Sequence, residues 1–129
     1  MTRQMSKIQH PREFFHKLGG LHDSTVDVVE WRGATVSIWI DDFHSAFLGL
    51  PEYQGPLSGA IALTDVEAFA LNVDPYEEPL TIYGIDVAEH LEGDRIEVTI
   101  RLAPGGTMRI RCRGIESVSA SGRVAPFVK

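Results

Sequence analysis

The stretch Arg95–Arg113, RIEVTIRLAPGGTMRIRCR, decides the fold. Apolar and polar residues alternate on both sides of Ala103-Pro104-Gly105-Gly106. That period of two, broken by a Pro-Gly turn, is the pattern of a β-hairpin with one buried face. Ile96, Val98, Ile100 and Leu102 share one face, and Arg95, Glu97, Thr99 and Arg101 share the other. On the return strand Met108, Ile110 and Cys112 turn inward while Arg109, Arg111 and Arg113 turn outward. Directly opposed residues lie on the same face, so Ile100 must stand against Met108 or Ile110. Either register sets Glu97 against Arg111 or Arg113 and neutralises part of the arginine row. The row then reads as a solvated sheet face, with an anion-binding surface as the sharper alternative.

Working outward, the same pattern recurs upstream. Thr25 to Trp31 is rich in β-formers, and Arg32-Gly33 is a turn signal. From Ala34 to Asp41, Val36, Ile38 and Ile40 alternate with Thr35, Ser37 and Trp39. A shift of 60 residues lays Gly33, Val36, Ile38 and Ile40 on Gly93, Ile96, Val98 and Ile100. A shift of 49 lays Ile61, Leu63, Val66, Glu67 and Phe69 on Ile110, Cys112, Ile115, Glu116 and Val118. Each half reads as strand, glycine turn, strand, connection and a long bent strand, the first bend near Thr64-Asp65. Two amphipathic hairpins also align in part by chance, so an unrepeated arrangement stands beside this one. The match favours strand over helix for residues 65–72, although that segment also holds helix formers.

The remaining segments follow. His10 to Gly20 reads as a short helix, with Pro11 in its first turn, an apolar stripe of Phe14, Phe15 and Leu18, and a Gly19-Gly20 stop. Residues 1–9 have no apolar period and read as a loose tail. Leu80 to Leu91 is extended, ending in a Glu92-Gly93-Asp94 turn. The expected fold is α+β and mainly antiparallel β, a sandwich or partly open barrel. It would be a single domain over residues 1–129, with pseudo-repeated halves at 21–73 and 80–120 and a short N-terminal helix.

Composition bounds the function. With 129 residues, 43% hydrophobic and 23% charged, the chain can build one core. A single cysteine, Cys112, excludes an internal disulfide and a cysteine metal cluster. It reads as a buried strand residue. The net charge of −6 disfavours nucleic acid or an anionic membrane as main partner. It suits a basic protein partner, and plain solubility equally. No apolar run approaches the roughly 20 residues of a membrane-spanning helix. Met1 to His10 lacks the apolar core of a secretory signal, so a cytoplasmic location is expected.

Candidate chemistry is sparse. Leu21-His22-Asp23-Ser24 holds the residue types of a nucleophilic triad. Neighbours along a strand point to opposite faces, however, which would keep His22 and Asp23 apart. Asp23 and Ser24 are therefore expected to bond nearby backbone N–H groups, with His22 as a partner-binding candidate. The histidines form no short ligand pair. A zinc site would have to gather His16, His22 and His44 with Asp23 or Asp42 from separate segments. No metal, cofactor or catalytic residue is assigned.

The long connection from Phe43 to Ser58 is punctuated by Gly49, Pro51, Gly55 and Pro56. It distinguishes the first half, and long loops on a rigid sheet are common binding elements. Phe43, His44, Phe47, Tyr53 and Gln54 are its candidates; the competing reading has the aromatics plugging an open end of the sheet. Tyr76, in the acidic turn Asp74 to Pro79, is a further candidate for meeting a basic partner.

Leu21-His22-Asp23-Ser24-Thr25-Val26, together with Arg113-Gly114-Ile115-Glu116-Ser117-Val118, resembles small bacterial β-rich domains that begin their first strand on a His-Asp-Ser/Ala triplet. The resemblance spans about residues 14–120. Some of these domains are regarded as immunity proteins of contact-dependent or polymorphic toxin systems. The resemblance implies binding and neutralising a cognate toxin, with no catalysis and no cofactor. It transfers no binding residues, and the long aromatic loop departs from the shorter pattern. The expected function is thus a non-enzymatic protein-binding domain of immunity type. The alternatives are a small-ligand binder or enzyme with a pocket near His22, His44, Trp31 and Trp39, and a homo-oligomer joined through an edge strand.

Overall fold

The computed structural model describes residues 4–73, 80–103 and 105–119. The elements run β1 (Gln4–Lys7), α1 (Pro11–Lys17), a 3-10 turn (Gly19–Leu21), β2 (Val26–Arg32), β3 (Thr35–Ile40), a second 3-10 turn (Ser45–Phe47), β4 (Gly59–Thr64), β5 (Ala68–Val73), β6 (Thr81–Leu91), β7 (Arg95–Ala103), β8 (Gly106–Cys112) and β9 (Gly114–Ser119). All strand pairs are antiparallel. They form two sheets, ordered β1-β9-β4-β3-β2 and β5-β8-β7-β6. The sheets do not close into a barrel; one bridge, Thr25 to Thr81, links them at a corner. This is the sandwich arm of the expectation, built mainly from antiparallel strands.

The decisive hairpin has the required register. Ile100 stands against Met108, Val98 against Ile110 and Glu97 against Arg111. Glu97 meets Arg111 at 3.0 Å and Arg109 at 3.7 Å, and Glu67 pairs with Arg95 and Arg113. The Arg95 hydrogen bond leads in holding the Glu67 carboxyl below its ordinary range. The arginine row is therefore a half-neutralised sheet face.

Through the hairpin strands the two halves match rung for rung. Past the bend the match slips by one residue. Phe69 pairs with Ile110 on the inner face, while Val118, on which the 49-residue shift lays it, pairs with Ala60 on the outer face. Ser117 is left as the counterpart of Phe69. Val36, Ile38 and Ile40 face Leu63, Ile61 and Gly59, and their counterparts Ile96, Val98 and Ile100 face Cys112, Ile110 and Met108. Residues 68–73 are strand, as the repeat requires. After Thr64 the chain leaves the first sheet through Asp65, whose φ of 54° suits an aspartate in the left-handed region, and continues as β5 in the second. After Cys112 it turns at Arg113 and makes the reverse crossing as β9. Each half thus contributes its last strand to the other half's sheet.

The inner faces bury Val36, Ile38, Ile40, Ile61, Leu63, Val98, Ile100, Met108, Ile110 and Ile115 in one core. Phe15 of α1, 2% exposed, and Leu21, fully buried, cover part of it from outside the sheets. Residues 4–7 correct one expectation: they are not a loose tail. β1 pairs with β9 from Gln4 against Ser119 to Lys7 against Glu116, and the Ile8 N–H then bonds the Ile115 carbonyl at 2.9 Å. A sheet edge recruits backbone groups, so this pairing needs no apolar period. The helix is also shorter than expected, because Gly19 and Gly20 take positive φ and end it in the 3-10 turn.

Cys112 is fully buried, and burial is the main cause that pushes its thiol up to about 11. The unfolded thiol ionises near 9.0, so the native state keeps a proton that the unfolded state releases. This contribution to stability is intact below pH 9.0 and is lost as the pH rises toward about 11. Urea titrations across that range should show falling stability in the wild type and a flatter profile in Cys112→Ala. At neutral pH the thiol should react with a thiol reagent only in urea.

Candidate functional site

The connection from β3 to β4 is held down by its own first residues. Asp42 Oδ1 accepts the His44 N–H at 2.9 Å and the Leu57 N–H at 3.0 Å, and Oδ2 accepts the Tyr53 hydroxyl at 2.9 Å. One carboxylate therefore ties the beginning, middle and end of the loop together. The bond to His44, two residues on, is an Asx-turn. The Phe43 N–H bonds the Leu57 carbonyl at 2.8 Å, and the His44 Nδ1–H donates to the Gly55 carbonyl at 2.8 Å. Phe43 is 4% exposed and belongs to the core; Phe47 and Tyr53 are half-buried and Gln54 is exposed.

A second anchor lies beneath the loop. Ser24, fully buried, and Ser45, 8% exposed, bond each other through their hydroxyls. The Ser24 Oγ also lies 2.7 Å from the Asp42 carbonyl, and the Ser45 Oγ 2.9 Å from the His22 carbonyl. Each hydroxyl has one proton, so two of these three contacts are donated at a time, and both serines stay within one short buried network. Next to it, a Cβ on Gly19 would meet the Ala46 Cβ at 2.6 Å. Gly19 thus both stops the helix and lets the loop approach closely.

His22 and Asp23 are not kept apart, contrary to the alternation argument. They precede β2, and Asp23 has a φ of 71°, so strand geometry does not govern them. His22 Nε2 lies 3.5 Å from Asp23 Oδ1, and Nδ1 lies 2.9 Å from the Tyr83 carbonyl. The His22 ring meets the Tyr83 ring edge-on at 5.6 Å. Ser24 turns the other way, toward Asp42 and Ser45, so no triad forms. Nor does its side chain bond a backbone N–H, as expected; its hydroxyl contacts a carbonyl.

The four side chains of the pocket alternative occupy separate settings. Trp31 lies opposite Val36 on the inner face of the first sheet, 55% exposed, with Phe69 edge-on at 5.2 Å. Trp39 is on the outer face, buried in a small cluster with Ala60, Ala62 and Val118. His22 rests on Tyr83 and His44 on Gly55. A cleft of about 410 Å³ between α1 and β6, lined by Phe15, His16 and Ile85 among others, includes none of these four. Among the described residues, no three His, Cys, Asp or Glu side chains gather in a metal-binding group. Tyr76 and the turn 74–79 lie outside the described residues.

The loop is closed around its polar groups but open at its tip. Leu48 is 70% exposed and Leu50 is 52% exposed, although both backbones are bonded, Leu48 N–H to Ser45 and Leu50 N–H to Phe47. Ser45 and Tyr83 were not singled out by the sequence, and Ser24 and Asp42 entered it only in other roles, Ser24 as a triad hydroxyl or backbone partner and Asp42 as a possible zinc ligand. Asp41 bonds the Thr25 N–H at 2.8 Å; beside it, burial first and the Asp41 charge second raise the Asp27 carboxyl above its ordinary value. Comparison with protein-family models, curated proteins and solved structures yields no match.

Tyr53 carries a readout of this network. Desolvation first, then the hydrogen bond to Asp42, raises its hydroxyl above the ordinary 10.0. Spectrophotometric titration should find a tyrosine ionising above the ordinary range in the wild type, and that component should move down in Asp42→Asn. Replacing Asp42 by Ala should destabilise the fold by about 1–3 kcal/mol in urea unfolding, because it strands loop N–H groups.

Proposed function

We propose that this chain is a non-enzymatic protein-binding domain, of the immunity type, that presents its Phe43–Ser58 connection to a basic partner such as a toxin. The observation that carries the reading is the pairing of exposed Leu48 and Leu50 with a backbone pinned through Asp42, Ser45 and His44. An apolar tip on an ordered loop loses little conformational entropy on docking, which favours affinity. Exposed apolar side chains grouped on one loop are the kind of surface that a partner covers. Asp41, Glu52 and a net charge of −6 favour a basic surface opposite. His22 and His44 support the same reading, because each bonds a backbone carbonyl, His22 that of Tyr83 and His44 that of Gly55.

The test is co-expression with a basic toxin encoded beside the gene, followed by co-purification and a survival assay. A stoichiometric complex and protection are expected from the wild type. The double variant Leu48→Asp/Leu50→Asp should melt like the wild type and lose roughly 100-fold or more in affinity, since it places carboxylates in an apolar contact. Unchanged binding by that variant, or toxin-free gene neighbourhoods across close relatives, would contradict the proposal.

A further inference from the structure

The internal repeat creates two equivalent seams along the sandwich, one between β6 and β9 and one between β2 and β5. Register establishes the equivalence. Ile38 and Val98 are repeat partners, and they pair Val29 and Val87 respectively. Ile61 and Ile110 are repeat partners, and they pair Ser117 and Phe69. Val87 and Ser117 in one seam therefore correspond to Val29 and Phe69 in the other.

The first seam is covered by the chain itself. β1 extends the sheet beyond β9, and α1 packs on β6, Phe15 lining one cleft together with Val87 and Phe14 lining another together with Ser117. Among the described residues nothing equivalent covers the second seam. Val29 is 37% exposed, Trp31 55% and Leu71 46%. β5 forms the sheet edge here, and among the described residues no strand pairs with its outer side. Its sequence, Ala68-Phe69-Ala70-Leu71-Asn72-Val73, has no charge and no proline, the devices that usually protect an edge.

We propose that β5 pairs antiparallel with β5 of a second copy about a two-fold axis, joining the two four-stranded sheets into one of eight strands. The choice of a second copy rests on charge. A two-fold axis sets each strand against itself, and β5 brings no like charges together. Of the two carboxylates that flank it in sequence, Glu67 and Asp74, Glu67 is already held by Arg95 and Arg113. Pairing of the two strands supplies about six backbone hydrogen bonds. Leu71 and Trp31 of each copy then lie beside the junction and lose solvent together. The proposal is independent of the toxin reading, because it uses a different surface from Leu48 and Leu50.

The test is sedimentation velocity on the full chain over a wide concentration range, with hydrogen exchange at both ends of that range. A reversible dimer is expected, with the amides of Ala68–Val73 gaining protection as it forms. Leu71→Lys should weaken self-association roughly 100-fold by placing two cations near the axis. Asn72→Lys, at an exposed position, should act in the same direction and keeps the test open if the first variant does not fold. A monomer at every concentration would overturn the proposal. So would a dimer indifferent to both variants, or β5 amides already protected in the monomer, which would mean that another segment of the same chain occupies the edge.

Discussion

The register that sets Ile38 against Ile61 and Val98 against Ile110 governs the rest of this fold. A side chain's face alternates at every residue, so these rungs fix which residues enter the core along the whole of β3, β4, β7 and β8. They also fix where the chain must bend. With Leu63 and Cys112 turned inward, the turns at Asp65 and Arg113 come where each sheet ends, and the following strand joins the opposite sheet. Both sheets contain strands from both halves, so neither half can complete its own sheet alone.

Interlocking leaves the molecule symmetric in its core and asymmetric at its surface. The N-terminal segment closes one seam, with Phe15 and Leu21 buried against the core. The long connection lies between β3 and β4; in the second half β7 ends at Ala103 and β8 begins at Gly106. The features that break the repeat are the ones that present unusual surface. The Asp42 carboxylate and the Ser24–Ser45 pair convert a long, glycine- and proline-rich connection into an ordered one, and that order leaves Leu48 and Leu50 outside.

The strands of the hairpins were legible because burial on one face imposes a period of two that survives in the sequence. Val36, Ile38 and Ile40, and Ile96, Val98 and Ile100, fall where that rule places them. β1 was not legible, because backbone pairing at the edge of β9 asks little of side chains. His22 and Asp23 were misjudged for a related reason: positive φ at Leu21 and Asp23 removes the alternation that would separate their side chains. The anchoring of the loop depends on contacts such as Ser24 to Ser45 and Gly19 to Ala46, which no local pattern announces. Asp42 entered the sequence reading only as a possible metal ligand, although its bond to the His44 N–H is a local Asx-turn.

The interlocked register is tested most directly by urea unfolding of Ile38→Ala and Val98→Ala, followed by probes on each sheet: Trp39 fluorescence for the first and Cys112 thiol exposure for the second. Each substitution removes methylenes from a fully buried rung and should cost about 1–4 kcal/mol. If the halves share their sheets, either substitution lowers one common transition, and the two probes report the same midpoint. Two separable transitions, with each substitution shifting only the probe on its own sheet, would contradict the account.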